Sequence, residues 1–286
     1  MKRILLSLAV VVLLVGACGD DDDGDQEPSD DTTAAPTTTT TAAPGTTTSV
    51  PAGEAVAVRV YFVRGEAVAT AGRAATAPAV ARGALTELLA GPDDFEAGIG
   101  MTTEIPDGTE LLGVDLADGA ATVDLSGEFE SGGGSLSMQM RVAEVVFTVT
   151  QFPTVETVSI ELDGEAVDAI GGEGVPATDL TRADFENVTP FILVESPVPG
   201  ETVSNPFSVS GISNTFEANV QYRLVGTDGT VLDEGFTTAT AGTGTWGDFA
   251  FDSSFDAVGE GTLEVFESSA QDGSVINLYE VPLRLG

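Results

Sequence analysis

The sequence contains no histidine, a single cysteine at Cys18, a single tryptophan at Trp246 and no lysine beyond Lys2. Without histidine or a second cysteine there can be no Ser-His-Asp or Cys-His nucleophile, no histidine-ligated zinc and no intrachain disulfide. Catalysis, if present, would have to run on carboxylates, arginine, tyrosine or hard metal ions. Each domain must be held by packing alone. Positive charge is equally scarce, with ten Lys and Arg against 46 acids and a formal net charge of −36. Such a surface repels phosphate backbones and anionic headgroups, which disfavours nucleic acid as a partner and membrane docking by charge. The plain reading of the acidity is a solvated surface that keeps the protein soluble, and divalent-cation capture is the functional alternative. Long hydrophobic runs are missing too. The apolar run from Ile4 to Val15 is shorter than the ~20 residues a membrane span needs, and Asp20 to Asp23 follow it directly.

What is present suffices for two packed cores, since 42% of 286 residues are apolar. The chain opens with Lys2 and Arg3, then the apolar run, then small residues, which is the layout of a secretory signal peptide over residues 1–17. Its close, Leu14-Val15-Gly16-Ala17-Cys18, resembles the lipobox of bacterial lipoproteins. That resemblance implies cleavage of the Ala17-Cys18 bond and a diacylglycerol on the Cys18 sulfur. The mature chain would then hold eight arginines against 46 acids, a formal −38, so membrane attachment falls to the lipid, for which two or more acyl chains are adequate. The expected location is the extracytoplasmic face of the cell membrane.

Residues 18–54 combine an acidic cluster with Thr, Ala and Pro runs and show no apolar periodicity, so nothing offsets the entropy of ordering them. They read as a linker that could carry O-glycans on its threonines. As a flexible coil it would set the first domain about 30 to 35 Å from the anchor, and as a Pro-stiffened, charge-repelled chain up to about 100 Å.

Periodicity begins at Ala55. Val56, Val58, Val60 and Phe62 alternate as one face of a strand. Val80, Ala81, Ala84, Leu85, Leu88 and Leu89 recur at helical spacing until Gly91-Pro92. Asp118-Gly119 between Leu111–Leu116 and Ala121–Leu125 marks a two-residue hairpin. Met138, Val142, Val145, Val149 and Phe152 share a helical face although Val145 to Val149 have strand composition, and Val158, Ile160 and Leu162 form a last strand. The order β-α-β-β-α-β over residues 55–170 gives a small two-layer sheet with both helices on one face.

Ile105-Pro106-Asp107-Gly108-Thr109-Glu110-Leu111, Asp118 to Ser126, Thr148 to Val155 and Val158 to Gly164 together resemble the GerMN (sporulation and spore germination) domain. That resemblance covers residues 57–170 and implies a small α/β module of exported or membrane-tethered proteins, without recognised catalytic residues, that takes part in assembling envelope complexes. Residues 171–189 are Gly-rich at their start and read as a connector. From 190 to 286, about seven short strands at 191–195, 207–209, 220–225, 231–236, 249–251, 263–266 and 275–285, punctuated by Pro199-Gly200, Asp228-Gly229 and Asp272-Gly273, give a β-sandwich. Ser196 to Gly200, Asn205 to Gly211, Phe216 to Val220 and Glu267 to Gly273 resemble the immunoglobulin-like domain that often accompanies GerMN. The overall fold class is therefore α+β, an α/β module followed by an all-β sandwich.

Candidate sites are few. The glycines at 132–134 and 171–174 match no phosphate-binding loop, and the mature chain has no lysine to complete one. Glu128 and Glu130 offer paired carboxylates for glycoside hydrolysis, with solvated acids as the plainer reading. Acidic loops at Asp93-Asp94 and Asp228 could supply calcium ligands, although no EF-hand loop occurs. Tyr61, Tyr222, Tyr279 and Trp246 lie among strand residues and read as core or sheet surface rather than a sugar-stacking platform. No catalytic, metal or cofactor residue is assigned, and lipid attachment at Cys18 is the one assigned site. The function expected is a non-catalytic, lipid-anchored scaffold that docks another envelope protein, with a carboxylate-dependent wall hydrolase and an acidic calcium binder as alternatives.

Overall fold

A computed structural model describes residues 51–172 and 174–286. The signal peptide, Cys18 and nearly all of the expected linker lie outside the described residues. Strand β1 (Ala55–Arg64) folds back on β2 (Ala67–Thr76) through Gly65 and Glu66, both at positive φ. Helix α1 (Val80–Leu89) buries Ala81, Ala84, Leu85 and Leu88 and is followed by Gly91 at φ +79°. The short α2 (Asp94–Gly98) starts with a capping box between Asp93 and Glu96. Strands β3 (Leu111–Ala117) and β4 (Ala120–Leu125) turn at Asp118 and Gly119, both at positive φ, as the Asp-Gly pair requires. Helix α3 (Ser135–Val149) then crosses over to β5 (Thr157–Leu162), which runs parallel to β4.

The expected elements are present in the expected order, with β2 and α2 as insertions. One arrangement differs. Strand β1 pairs with β2 alone, whereas β3, β4, β5 and the short β6 (Glu165–Ala166) form a separate four-stranded sheet in the order β3-β4-β5-β6. The free edge of β1 is closed by side chains instead of a strand. Thr148 Oγ1 accepts from the Tyr61 N–H at 3.1 Å, and the Gln151 amide accepts from Arg59 N at 2.7 Å and donates to Arg59 O at 2.6 Å. Further along, Val63 and Thr102 exchange backbone bonds. An edge satisfied in this way offers nothing to another chain.

Helix α3 is buried almost all round from Met138 to Val149, including Arg141, Glu144 and Thr148. That explains its ambiguous composition, because a helix with no solvent face can take valines on every side. Between β5 and the sandwich, β7 (Ala169–Ile170) pairs with β8 (Val175–Pro176), and a 3₁₀ turn over Arg182–Val188 buries Phe185 and Val188.

The seven strands expected in the second half are all found, as β9 (Ile192–Ser196), β11 (Phe207–Ser213), β12 (Asn219–Gly226), β13 (Val231–Thr238), β14 (Gly247–Ser253), β15 (Gly259–Ser268) and β16 (Val275–Leu285). The short β10 (Thr202–Val203) is the addition. They form two sheets, β10-β16-β15-β12-β13 and β14-β11-β9. One hydrophobic core runs without interruption from Val60 through α3 to Leu285, so the α/β half and the sandwich are packed as a single compact unit.

Candidate functional site

The seam between the halves is built on the face of the β1–β2 hairpin that carries Arg59 and Tyr61. The Tyr61 hydroxyl, wholly buried, donates to Glu195 of β9, and Arg182 of the 3₁₀ turn donates to the same carboxylate at 2.7 Å and to the Tyr61 oxygen at 3.2 Å. Arg182 also reaches Thr150 Oγ1 at 2.9 Å and Phe147 O at 3.2 Å, so one guanidinium ties α3 to the sandwich. Burial, reinforced by Glu195, pushes the Tyr61 phenol up, and the Arg182 charge only partly opposes this. Burial would raise Glu195 as well, yet the Arg182 charge and the Tyr61 hydroxyl hold it below the ordinary carboxylate range. The group is therefore an ionic network with Glu195 held as the anion, and the nearby Arg59 charge lowers Glu195 further. Thr70 of β2 adds two bonds across the seam, donating from Oγ1 to Val194 O at 2.9 Å and from its N–H to the Tyr279 hydroxyl at 3.3 Å. Arg64 caps the hairpin's far end with two bonds to Glu280 O and lies 4.8 Å from the Tyr279 ring centroid.

Beside this network opens a cleft of about 530 Å³, walled by Arg59, Gly72 and Arg73 on the hairpin and by Ser196, Val198 and Glu201 on the sandwich. Gly72 lets the two walls approach, because a Cβ there would stand 2.6 Å from Val198 Cγ2 and Val198 would have to move. Arg73 is committed, donating to Glu96 at 2.5 and 2.7 Å and to the carbonyls of Gly72 and Gly91. The Arg59 guanidinium is not committed. Its Nε is buried without an acceptor and no hydrogen bond leaves the group.

A second surface lies on the five-stranded sheet. Phe236 on β13, Gln221 on β12 and Phe266 on β15 stand directly opposite one another, and cross-strand partners share a face. Phe236 is 70% exposed and borders a depression of about 430 Å³ lined also by Tyr222, Glu234 and Phe266. Two residues along, Glu234, Arg223, Glu264 and Glu280 form a charged row, with Arg223 bonded to Glu264 and held 5.3 Å from the Phe266 ring centroid. An aromatic row, exposed at Phe236 and buried at Phe266 (8%), thus runs alongside a row of three acids around one arginine.

The residues singled out in sequence fall apart in space. Glu128 and Glu130 are both exposed on a 3₁₀ turn, Gly127–Glu130, that buries Phe129 between them. Asp93 is a helix cap, and Asp228 accepts from Thr230 N in a turn at 2.9 Å. Among the described residues no group of three His, Cys, Asp or Glu is placed to hold a metal ion. Tyr61 and Tyr279 are seam residues, Tyr222 stacks on Phe251 at 3.9 Å, and Trp246 lines a cavity of about 120 Å³ with Phe147, Arg182 and Ile212. The seam residues Thr70, Arg182 and Glu195 were not legible as such, and the scarcity of arginine was the only signal that pointed to Arg59 and Arg182.

Residues 59–168 match the family model described as sporulation and spore germination, and residues 191–274 match that of the immunoglobulin-like domain of bacterial spore germination. No curated protein matches the sequence. Among solved structures, the chain is similar to the tandem GerMN domains of the sporulation protein GerM from Bacillus subtilis, at 19% identity over 64% of this chain and 59% of that one, with a TM-score of 0.38. The first GerMN domain of the same protein matches at 22% identity over 45% of this chain and 98% of that one, with a TM-score of 0.36. A candidate lipoprotein from Clostridium perfringens matches at 20% identity over 47% of this chain and 93% of that one, with a TM-score of 0.35. Scores this low decide nothing about activity, and the two family models carry the assignment. The chain, α+β in fold, therefore carries a sporulation and spore germination domain over residues 59–168 followed by an immunoglobulin-like domain of bacterial spore germination over residues 191–274.

Proposed function

We propose that the protein is a non-catalytic binding unit held at the outer face of the cell membrane by lipid on Cys18, with residues 18–54 as its tether, and that it docks another envelope protein through the sandwich. The observation that supports this most directly is the exposed Phe236, seated over the buried Phe266, beside the acidic row at Glu234, Glu264 and Glu280. Interfaces take aromatic anchors at their centre with polar groups around them. The acids also define the partner's complement, an apolar contact flanked by Lys or Arg.

The shared core adds a reason for rigidity. A partner seated on the sandwich meets a surface braced by the first half, so little ordering entropy is lost on binding. The experiment is fractionation and in-cell crosslinking of the wild type and Cys18→Ser. The anchored form is expected in the membrane fraction with one specific crosslinked envelope protein, and the Cys18→Ser form is expected folded but released and uncrosslinked. Full retention of Cys18→Ser at the membrane would overturn the anchoring, and the absence of any specific adduct from the anchored form would overturn the docking.

A further inference from the structure

We infer that the cleft between the hairpin and the sandwich is a binding site for a single carboxylate group, taken by the guanidinium of Arg59. The chain has eight arginines after Arg3, and all eight are described. Seven of them donate from the guanidinium to a carboxylate, carbonyl or hydroxyl, as Arg64, Arg73, Arg82, Arg141, Arg182, Arg223 and Arg284 do. Arg59 alone donates to nothing, with its Nε sealed from water and the cleft of about 530 Å³ in front of it. Gln151 fixes Arg59 in place from behind by holding both its backbone N–H and its carbonyl. The side chain is thus presented from a strand whose position is already determined, which limits the entropy lost on binding.

The walls select the charge of the ligand. Glu195 and Glu201 line the same cleft, and the Glu201 carboxylate already accepts from Val198 N at 2.9 Å. With a formal charge of −36 on the whole chain, a di- or polyanion meets repulsion that one guanidinium does not offset. A planar monoanion matches the guanidinium fork with two parallel bonds, which is the geometry of a carboxylate. Ser196 also lines the cleft and brings a neutral hydroxyl to it. The carboxylate can belong to a small organic acid or to the free end of a peptide chain. This site is separate from the aromatic row and stands or falls independently of the docking reading.

The direct test follows the Arg59 Nε–H resonance in protein labelled at arginine while acetate is added, with acetamide and inorganic phosphate in parallel. A saturable shift with acetate, none with acetamide and little with phosphate is expected. No shift with acetate, or an equal shift with phosphate, overturns the proposal. A tetrapeptide with a free C-terminus and its C-terminal amide distinguish the source. Tighter binding of the free peptide than of acetate assigns a chain end, and equal binding assigns a small acid. Arg59→Lys is expected to weaken acetate binding at least tenfold and Ser196→Ala by a few fold. Arg59→Gln, which removes a half-buried charge that makes no hydrogen bond but lies near Glu195, is expected to melt within a few degrees of the wild type. A large drop in melting temperature for Arg59→Gln would instead make the residue a structural partner of Glu195 and overturn the assignment.

Discussion

The two halves place their ionisable groups differently. The first half buries two of them on α3: Arg141 and Glu144 sit inside, with Arg141 donating to Phe129 O at 2.7 Å and Glu144 accepting from Thr103 Oγ1 at 2.7 Å and Glu104 N at 2.8 Å. The sandwich buries Glu267 alone among its described charged residues, and lays acids and a 70% exposed phenylalanine on its outer sheet. A buried polar group with its hydrogen bonds satisfied rigidifies the elements that hold it. An exposed aromatic beside acids costs little in the free protein and is available to a partner. The first half therefore serves as a brace and the second as a presenting surface, joined by the Tyr61, Glu195 and Arg182 network.

The strongest way to break this division is to empty the brace. Phe147 is wholly buried on α3, 5.4 Å from the Tyr61 ring centroid. Phe147→Ala is expected to cost about 3–5 kcal/mol and to lower the melting temperature by on the order of 10 °C. Because the core is continuous, the helical circular dichroism and the fluorescence of Trp246 in the sandwich are expected to fall in one coincident transition. Two separated transitions would show that the halves are stable independently. Next in size is Arg182→Ala, which strands Glu195 and the Tyr61 hydroxyl. Side-chain exposures of 23% and 16% for Arg182 and Glu195 place the loss below the fully buried range, at roughly 2–3 kcal/mol by chemical denaturation.

A third test uses pH. Burial pushes Glu144 up to about 8 from an ordinary 4.5, against the lowering effect of its bonds from Glu104 N and Thr103. The folded carboxyl keeps its proton in a range where the unfolded chain has lost it. Its contribution to stability is accordingly full below the unfolded value, declines as pH rises, and is gone once pH passes about 8. The melting temperature of Glu144→Gln minus that of the wild type is expected to grow from pH 5 to pH 9, and a difference independent of pH would contradict the buried carboxylic acid. The smallest effect belongs to the presenting surface. Phe236→Ser is expected to change stability by less than about 0.5 kcal/mol while removing the crosslinked partner.

The hairpin at Asp118-Gly119 and the seven sandwich strands were legible because turn residues and bulky alternation coincide there. Strand β2 was not, and its packing explains why. On one face Gly72 lets Val198 approach and Thr70 bonds across the seam, and on the other Ala75 meets α1 at Gly83, where an added Cβ would stand 2.7 Å away. A strand pressed between two neighbours needs small residues, and Ala, Thr and Gly carry no periodic signal. Its turn, Gly65-Glu66, also lacks the usual Asn-Gly or Asp-Gly pair. The same holds for the site. Arg59 looked like the polar side of an ordinary strand, since nothing in the sequence shows that the remaining arginines all find acceptors. The Thr148 to Phe152 segment carried the family resemblance, and the structure supplies a physical use for it, because Thr148 and Gln151 close the edge of β1.

The division between brace and presenting surface is tested most directly by placing a photoreactive amino acid at Phe236 and, separately, at Leu136, which is 45% exposed on the first half, in cells carrying the anchored protein. A single strong adduct from position 236 and none of that mass from position 136 is the expected result. Equal labelling from both positions, or no adduct from 236, would contradict it.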